Sequence, residues 1–92
     1  FLIKPQFELP PEKNVKGIVK DVEDRYEAVQ KIIAQCMKTG LTVEDIITSP
    51  LKGSKGNVEY LVKISLPYRQ DQMIDDTIVR ERIFNNERMI ES

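Results

Sequence analysis

Phe1-Leu2-Ile3-Lys4-Pro5-Gln6-Phe7-Glu8 opens the chain with an apolar strand that stops at a lysine. Pro5 has no backbone N–H to give to a ladder, so the strand ends just before it. A strand of this kind needs neighbours on its edges to satisfy its backbone groups. The opening therefore predicts an α/β sheet, and reads as the back portion of a larger one.

Working outward, residues 8–20 carry two prolines and a glycine and read as a long loop; loops of that length in compact domains are usually functional or disordered. Asp21 is a good helix N-cap, with Glu23 and Asp24 in the first turn. Val22, Tyr26, Val29, Ile33 and Cys36/Met37 then recur at three- and four-residue steps, which predicts a helix closed by Gly40. Leu41 to Thr48 reads as a strand ended by Ser49-Pro50. The glycine- and lysine-rich turn 51–57 leads to Val58–Leu66, where Val58, Tyr60, Val62, Ile64 and Leu66 alternate with Glu59, Leu61, Lys63 and Ser65. These two strands read as an antiparallel, hairpin-like pair. Beyond Pro67, Ile74, Ile78, Val79, Ile83, Met89 and Ile90 predict a helical tail over about Asp71–Ile90. The element order is strand, loop, helix, strand, strand, helix, with the first strand–helix–strand unit a right-handed crossover and the last strand returning antiparallel.

Ninety-two residues allow one small domain, and a charged fraction of 32% suits a soluble globular class. No apolar run approaches the roughly 18 residues of a membrane span. Phe1-Leu2-Ile3 is too short for a signal peptide and lacks a basic leader. One cysteine, Cys36, reads as a buried small hydrophobe in a reducing compartment, and the lack of histidine removes Ser-His and Cys-His catalysis and makes zinc an unsuitable metal. The net charge of −1 hides a pattern: residues 1–20 and 48–70 are basic, while 21–47 and 71–92 are acidic. The basic blocks fall on loops, so a positive rim facing a polyanion is one reading and ordinary solvated lysines another.

Two residues carry a chemical signal. Lys4 stands at the carboxyl end of its strand, where open α/β sheets bind ligands. Partly desolvated by Phe1, Ile3 and Phe7, it has the features of a base or of a group that orients a hydroxyl; a lysine snorkelling to water is the plainer reading. Glu59 begins an otherwise apolar strand at the same sheet edge, so the two are expected to meet; read alone, it is a fringe charge.

These stretches, with Lys16-Gly17-Ile18-Val19-Lys20-Asp21, Ser49-Pro50-Leu51-Lys52-Gly53 and Gly56-Asn57-Val58-Glu59-Tyr60-Leu61, resemble the C-terminal part of the TlyA family of FtsJ-like, haemolysin-A-named ribosomal RNA 2′-O-methyltransferases. The resemblance covers roughly residues 1–66. It implies the C-terminal portion of a Rossmann-like, S-adenosylmethionine-dependent methyltransferase sheet, with Lys4 matching the second lysine and Glu59 the glutamate of a Lys-Asp-Lys-Glu tetrad. In-line transfer of a methyl group to a ribose 2′-hydroxyl is the implied reaction, with ribosomal RNA as partner and the cytoplasm as location. The chain departs from the pattern at Val22 and Arg25, where proline and histidine are usual. Its glycines form no GxGxxG loop after a strand, so no residue here is assigned to cofactor binding. The cofactor site, the first lysine and the aspartate are expected upstream, and the chain alone is expected to be inactive.

The expected division is residues 1–67 as methyltransferase domain and 68–92 as helical tail. The competing reading is a non-enzymatic RNA-binding or self-associating α/β module. Lys16, Lys20, Lys52 and Lys55, with Lys13, are the RNA-binding candidates. Phe7 and Tyr60 are the stacking candidates, both read as core. Self-association through the first strand's edge or the tail helix is the remaining partner reading, and no membrane contact is expected.

Overall fold

A computed structural model describes the backbone of residues 1–91 and the side chains of residues 1–85. Its elements are β1 (Leu2–Ile3), the single turn α1 (Pro5–Glu8), α2 (Val22–Lys38), β2 (Thr42–Thr48), β3 (Tyr60–Ser65) and α3 (Asp76–Glu91). The loop before α2 is more ordered than composition suggests. It holds α1, a 3-10 turn at Pro11–Lys13 and a two-residue hairpin in which Val15 and Ile18 exchange both backbone hydrogen bonds.

The central helix forms where its signals lie. Asp21 Oδ1 accepts the Glu23 N–H at 2.9 Å, and Glu23 and Asp24 sit at the positive end of the helix dipole. At the other end the Leu41 N–H reaches Cys36 O and the Gly40 N–H reaches Met37 O, with Gly40 at φ 82°. This is a Schellman closure.

The three strands lie in the order β1-β3-β2, with β3 antiparallel to both. β1 and β2 thus point the same way but never touch; the last strand fills the gap between them. Ile3 and Thr48 flank Tyr60, and Leu2 and Ile47 flank Leu61. The first row faces the helices. Ile3, Tyr60, Val62, Ile46 and Val43 pack with Tyr26, Val29, Ile32 and Cys36 of α2 and with Val79 and Ile83 of α3 in one buried cluster. Each such aliphatic side chain contributes about 1.5–3 kcal/mol. The second row, Leu2, Leu61 and Ile47, lies on the opposite face and is exposed.

Three expectations need adjustment. The buried arc of α2 runs through Arg25, Ala28 and Ile32 and leaves Met37 exposed, because the helix packs against α3 as well as the sheet. In β3 the alternation holds for Tyr60 and Val62, whereas Ile64 and Leu66 are exposed. The last helix starts at Asp76 rather than near Asp71. Its cap is Asp75, whose Oδ1 accepts the Thr77 N–H at 3.0 Å, and before it the Ile74 N–H bonds to Val43 O at 2.8 Å. The side chains of Met89 and Ile90, included in the expected stripe, lie outside the described residues.

Tyr26 fastens α3 to α2. Its hydroxyl lies 2.6 Å from Asp76 Oδ1 and accepts from Gln30 Nε2 at 2.9 Å, while the Arg80 guanidinium stands 4.8 Å from the ring centroid. Burial, and then the hydrogen bond to Asp76, raise the Tyr26 pKa. A raised folded-state pKa means that the protonated phenol stabilises the fold; that stability is whole below the unfolded value and is lost as pH rises through the folded one. Tyr26→Phe is expected to cost about 1–2 kcal/mol at neutral pH and to shrink the alkaline loss of melting temperature. Thermal melts of both proteins from neutral to strongly alkaline pH check this; parallel curves would refute the role given to the phenol.

Candidate active site

The ladder register builds the site. Leu2 pairs with Leu61 and Ile3 with Tyr60, so the next step of the same ladder sets Lys4 opposite Glu59. Lys4 Nζ lies 3.7 Å from Glu59 Oε2, an ion-pair distance longer than a hydrogen bond. The two ends of the pair differ sharply in exposure: the Lys4 side chain is 43% exposed and that of Glu59 only 4%. The lysine therefore reaches outward over a carboxylate sealed beneath it.

A buried carboxylate requires donors. Gln6 supplies one, its Nε2 giving a 2.8 Å hydrogen bond to Glu59 Oε2. Because an ionised carboxylate only accepts, the amide must present its nitrogen here. The cost is visible at the other end of the same side chain: Gln6 Oε1 is buried with no hydrogen-bond partner among the described residues. Gln6 takes this position because Pro5 starts α1 at its first helical residue, and both Pro5 and Gln6 turn inward.

Gly53 forms the roof. A Cβ at this position would overlap the Glu59 carboxylate, so the 49–57 loop passes as close to the acid as backbone can. That loop is also stitched to the loop before α2. Buried Asn57 accepts the Val19 N–H at 3.0 Å and donates to Gly17 O and Ser54 O at 2.8 and 2.9 Å. Lys55 Nζ donates to Lys16 O at 3.0 Å. Beneath them Arg25, itself buried, donates to Tyr60 Oη at 3.1 Å and to Lys20 O at 3.2 Å. The two loops thus form one bonded unit at the Lys4–Glu59 end of the sheet.

The structure brings Lys4 and Glu59 together and leaves Lys16, Lys20, Lys52 and Lys55 exposed on these two loops. Lys13, in contrast, is engaged with Asp24 at 3.2 Å and Glu27 at 3.6 Å. Tyr60 is in the core as expected; Phe7 is not, for it is 71% exposed. Gln6, Asn57 and Gly53 were missed by sequence reasoning. The glutamine two residues after Lys4 was the only available signal for the first, and nothing local marks the others.

No protein-family model matches the chain. It is 33% identical over 67 residues to "Putative rRNA methyltransferase YqxC" of Bacillus subtilis, a match covering 72% of this chain and 24% of the relative. It is 36% identical over 62 residues to "23S rRNA (cytidine-2′-O)-methyltransferase TlyA" of Campylobacter jejuni, covering 65% of this chain and 24% of the relative. The resemblance is to the TlyA family. A solved structure named "Putative hemolysin from Streptococcus thermophilus" superposes with a TM-score of 0.80 at 25% identity, over 98% of this chain and 32% of that one. The TlyA-like match in sequence thus spans about two thirds of the chain, while the match in fold spans nearly all of it. The chain spans about a quarter of the length of the curated relatives it matches.

Proposed function

We propose that this chain supplies the lysine–glutamate part of the active site of an S-adenosylmethionine-dependent methyltransferase acting on ribose 2′-hydroxyls of ribosomal RNA. The observation that carries this reading is the cross-strand Lys4–Glu59 pair, with an exposed lysine held by a sealed acid at the carboxyl end of β1. The Campylobacter relative, by its name, methylates a cytidine 2′-oxygen.

The glycines beside the Lys4–Glu59 pair do not offer the open approach that a phosphate-binding loop needs. Gly53 is occupied by Glu59 and Gly17 by the Lys55 side chain, and the turn after β1 begins with a proline. In this reading the cofactor-binding part, with the rest of the tetrad, belongs to other residues of a longer protein, and the chain alone does not transfer methyl groups.

A ribose hydroxyl is a weak nucleophile that must be oriented and relieved of its proton. Lys4 is the group placed to touch it. Glu59 and Gln6 are positioning residues: the acid fixes the lysine, and the amide fixes the acid. Lys16, Lys20, Lys52 and Lys55 would meet backbone phosphates, and the ties between their loops would hold them in one register. In this reading the protein works where ribosomal RNA is, in the cytoplasm. Among the described residues no helix is long and apolar enough to cross a membrane.

Filter binding of this chain to a 23S rRNA transcript, across a salt series, tests the RNA-facing half of the reading. Lys16→Gln, Lys20→Gln and Lys52→Gln are each expected to flatten the log–log salt slope by about 0.7–0.9. A slope identical in all variants would overturn the assignment.

A further inference from the structure

We infer that Phe7 is a stacking platform for the base of the nucleotide that presents its ribose to Lys4, so that the chain selects unpaired RNA; this rests on the reading of the site given above. Single exposed apolar residues are ordinary on protein surfaces. Phe7 differs from them in how it is held and in what surrounds it. Its two predecessors in α1, Pro5 and Gln6, are buried, and its own N–H bonds to Lys4 O at 2.9 Å. The turn is thus anchored on its inner side, and the ring is carried outward, 71% exposed, on a fixed backbone. Contact with the ring therefore requires no ordering of the backbone that carries it.

The Lys4 ammonium stands over the ring, 5.9 Å from its centroid, a separation that one nucleotide bridges between a base on the exposed part of the ring and its ribose hydroxyl. Leu51 is exposed beside Lys52 on the 49–57 loop, the loop that covers Glu59, and Lys16 and Lys20 are exposed on the loop tied to it by Asn57. An apolar ring beside a cation is complementary to a base attached to a phosphate backbone. A paired base has both faces covered within its own helix and cannot use the ring, which is why the inference is to an unpaired nucleotide.

The chain contains no tryptophan, so Phe7→Trp introduces a single fluorescent reporter at the ring position. Titration of wild type, Phe7→Trp and Phe7→Leu with a short single-stranded RNA and with the same strand in duplex, over a salt series, is the experiment. Phe7→Leu is expected to weaken single-strand binding by roughly tenfold without changing the salt slope, and Phe7→Trp to keep the affinity while its emission is quenched. Unchanged melting temperatures show that both variants fold. Equal affinity of Phe7→Leu and wild type, an unquenched tryptophan, or a preference for duplex would overturn this inference and leave the proposed function standing. No binding by the wild-type chain at low salt would overturn both.

Discussion

Lys4→Met is expected to cut methyl transfer by roughly 10²–10⁴-fold, the usual contribution of a positioned acid–base group, while costing about 1–3 kcal/mol of stability. The separation follows from the geometry. The lysine is nearly half exposed and stands 3.7 Å from the carboxylate, so its loss leaves the packing intact and the stability cost comes from the buried acid left behind. Glu59 keeps the Gln6 donor when the lysine is gone. Lys4→Arg is expected not to restore transfer, because a guanidinium keeps the charge but cannot give up a proton or occupy a point position at the hydroxyl. The assay is single-turnover transfer to an rRNA transcript by a longer protein joining this segment to a cofactor-binding part, alongside thermal melts. Near-normal rates for either variant would remove Lys4 from the reaction.

Gly53→Ala is expected to cost about 1–3 kcal/mol and to abolish transfer as well, although residue 53 would touch neither RNA nor cofactor. The added methyl overlaps a carboxylate that is packed on all sides, and the obstacle cannot simply swing aside as a surface side chain would. Either the 49–57 loop lifts or Glu59 leaves its hydrogen bond to Gln6, and both release Lys4. Ser54→Ala, one residue along and exposed, is the control, expected within about 0.5 kcal/mol of wild type. Comparable melts and rates for the two variants would show that the roof over Glu59 is soft and that the acid does not need it.

The elements legible from sequence were those with local signals. Asp21 and Gly40 bracket α2 because capping is decided within a few residues, and Pro5 stops β1 for the same reason. The central place of the last strand, expected from a charge at its start, had no local signal of this kind. Period-two alternation tells which residues share a face but not which strand lies beside which, and β3 between β1 and β2 is a long-range result. Lys4 and Glu59 stood out because charges at strand ends are conspicuous and a family resemblance drew attention to them. Gln6 did not, since a polar residue after a proline reads as surface until the turn that buries it is seen. Phe7 failed the opposite way: hydrophobicity predicts burial on average, and the turn that hides Gln6 directs its neighbour to solvent.

The position of β3 also sets the order in which the molecule can be assembled. During synthesis β1, α2 and β2 emerge before β3, and in the finished sheet the first two strands are joined only through it. Gln6 and Glu59 are separated by 53 positions along the chain, a long loop to close before any contact rewards it. The lysine therefore meets its acid only when the central strand enters, which is also the moment β1 and β2 are joined. Folding and arming of the site are one event, and a partly made chain carries no half-working version of it.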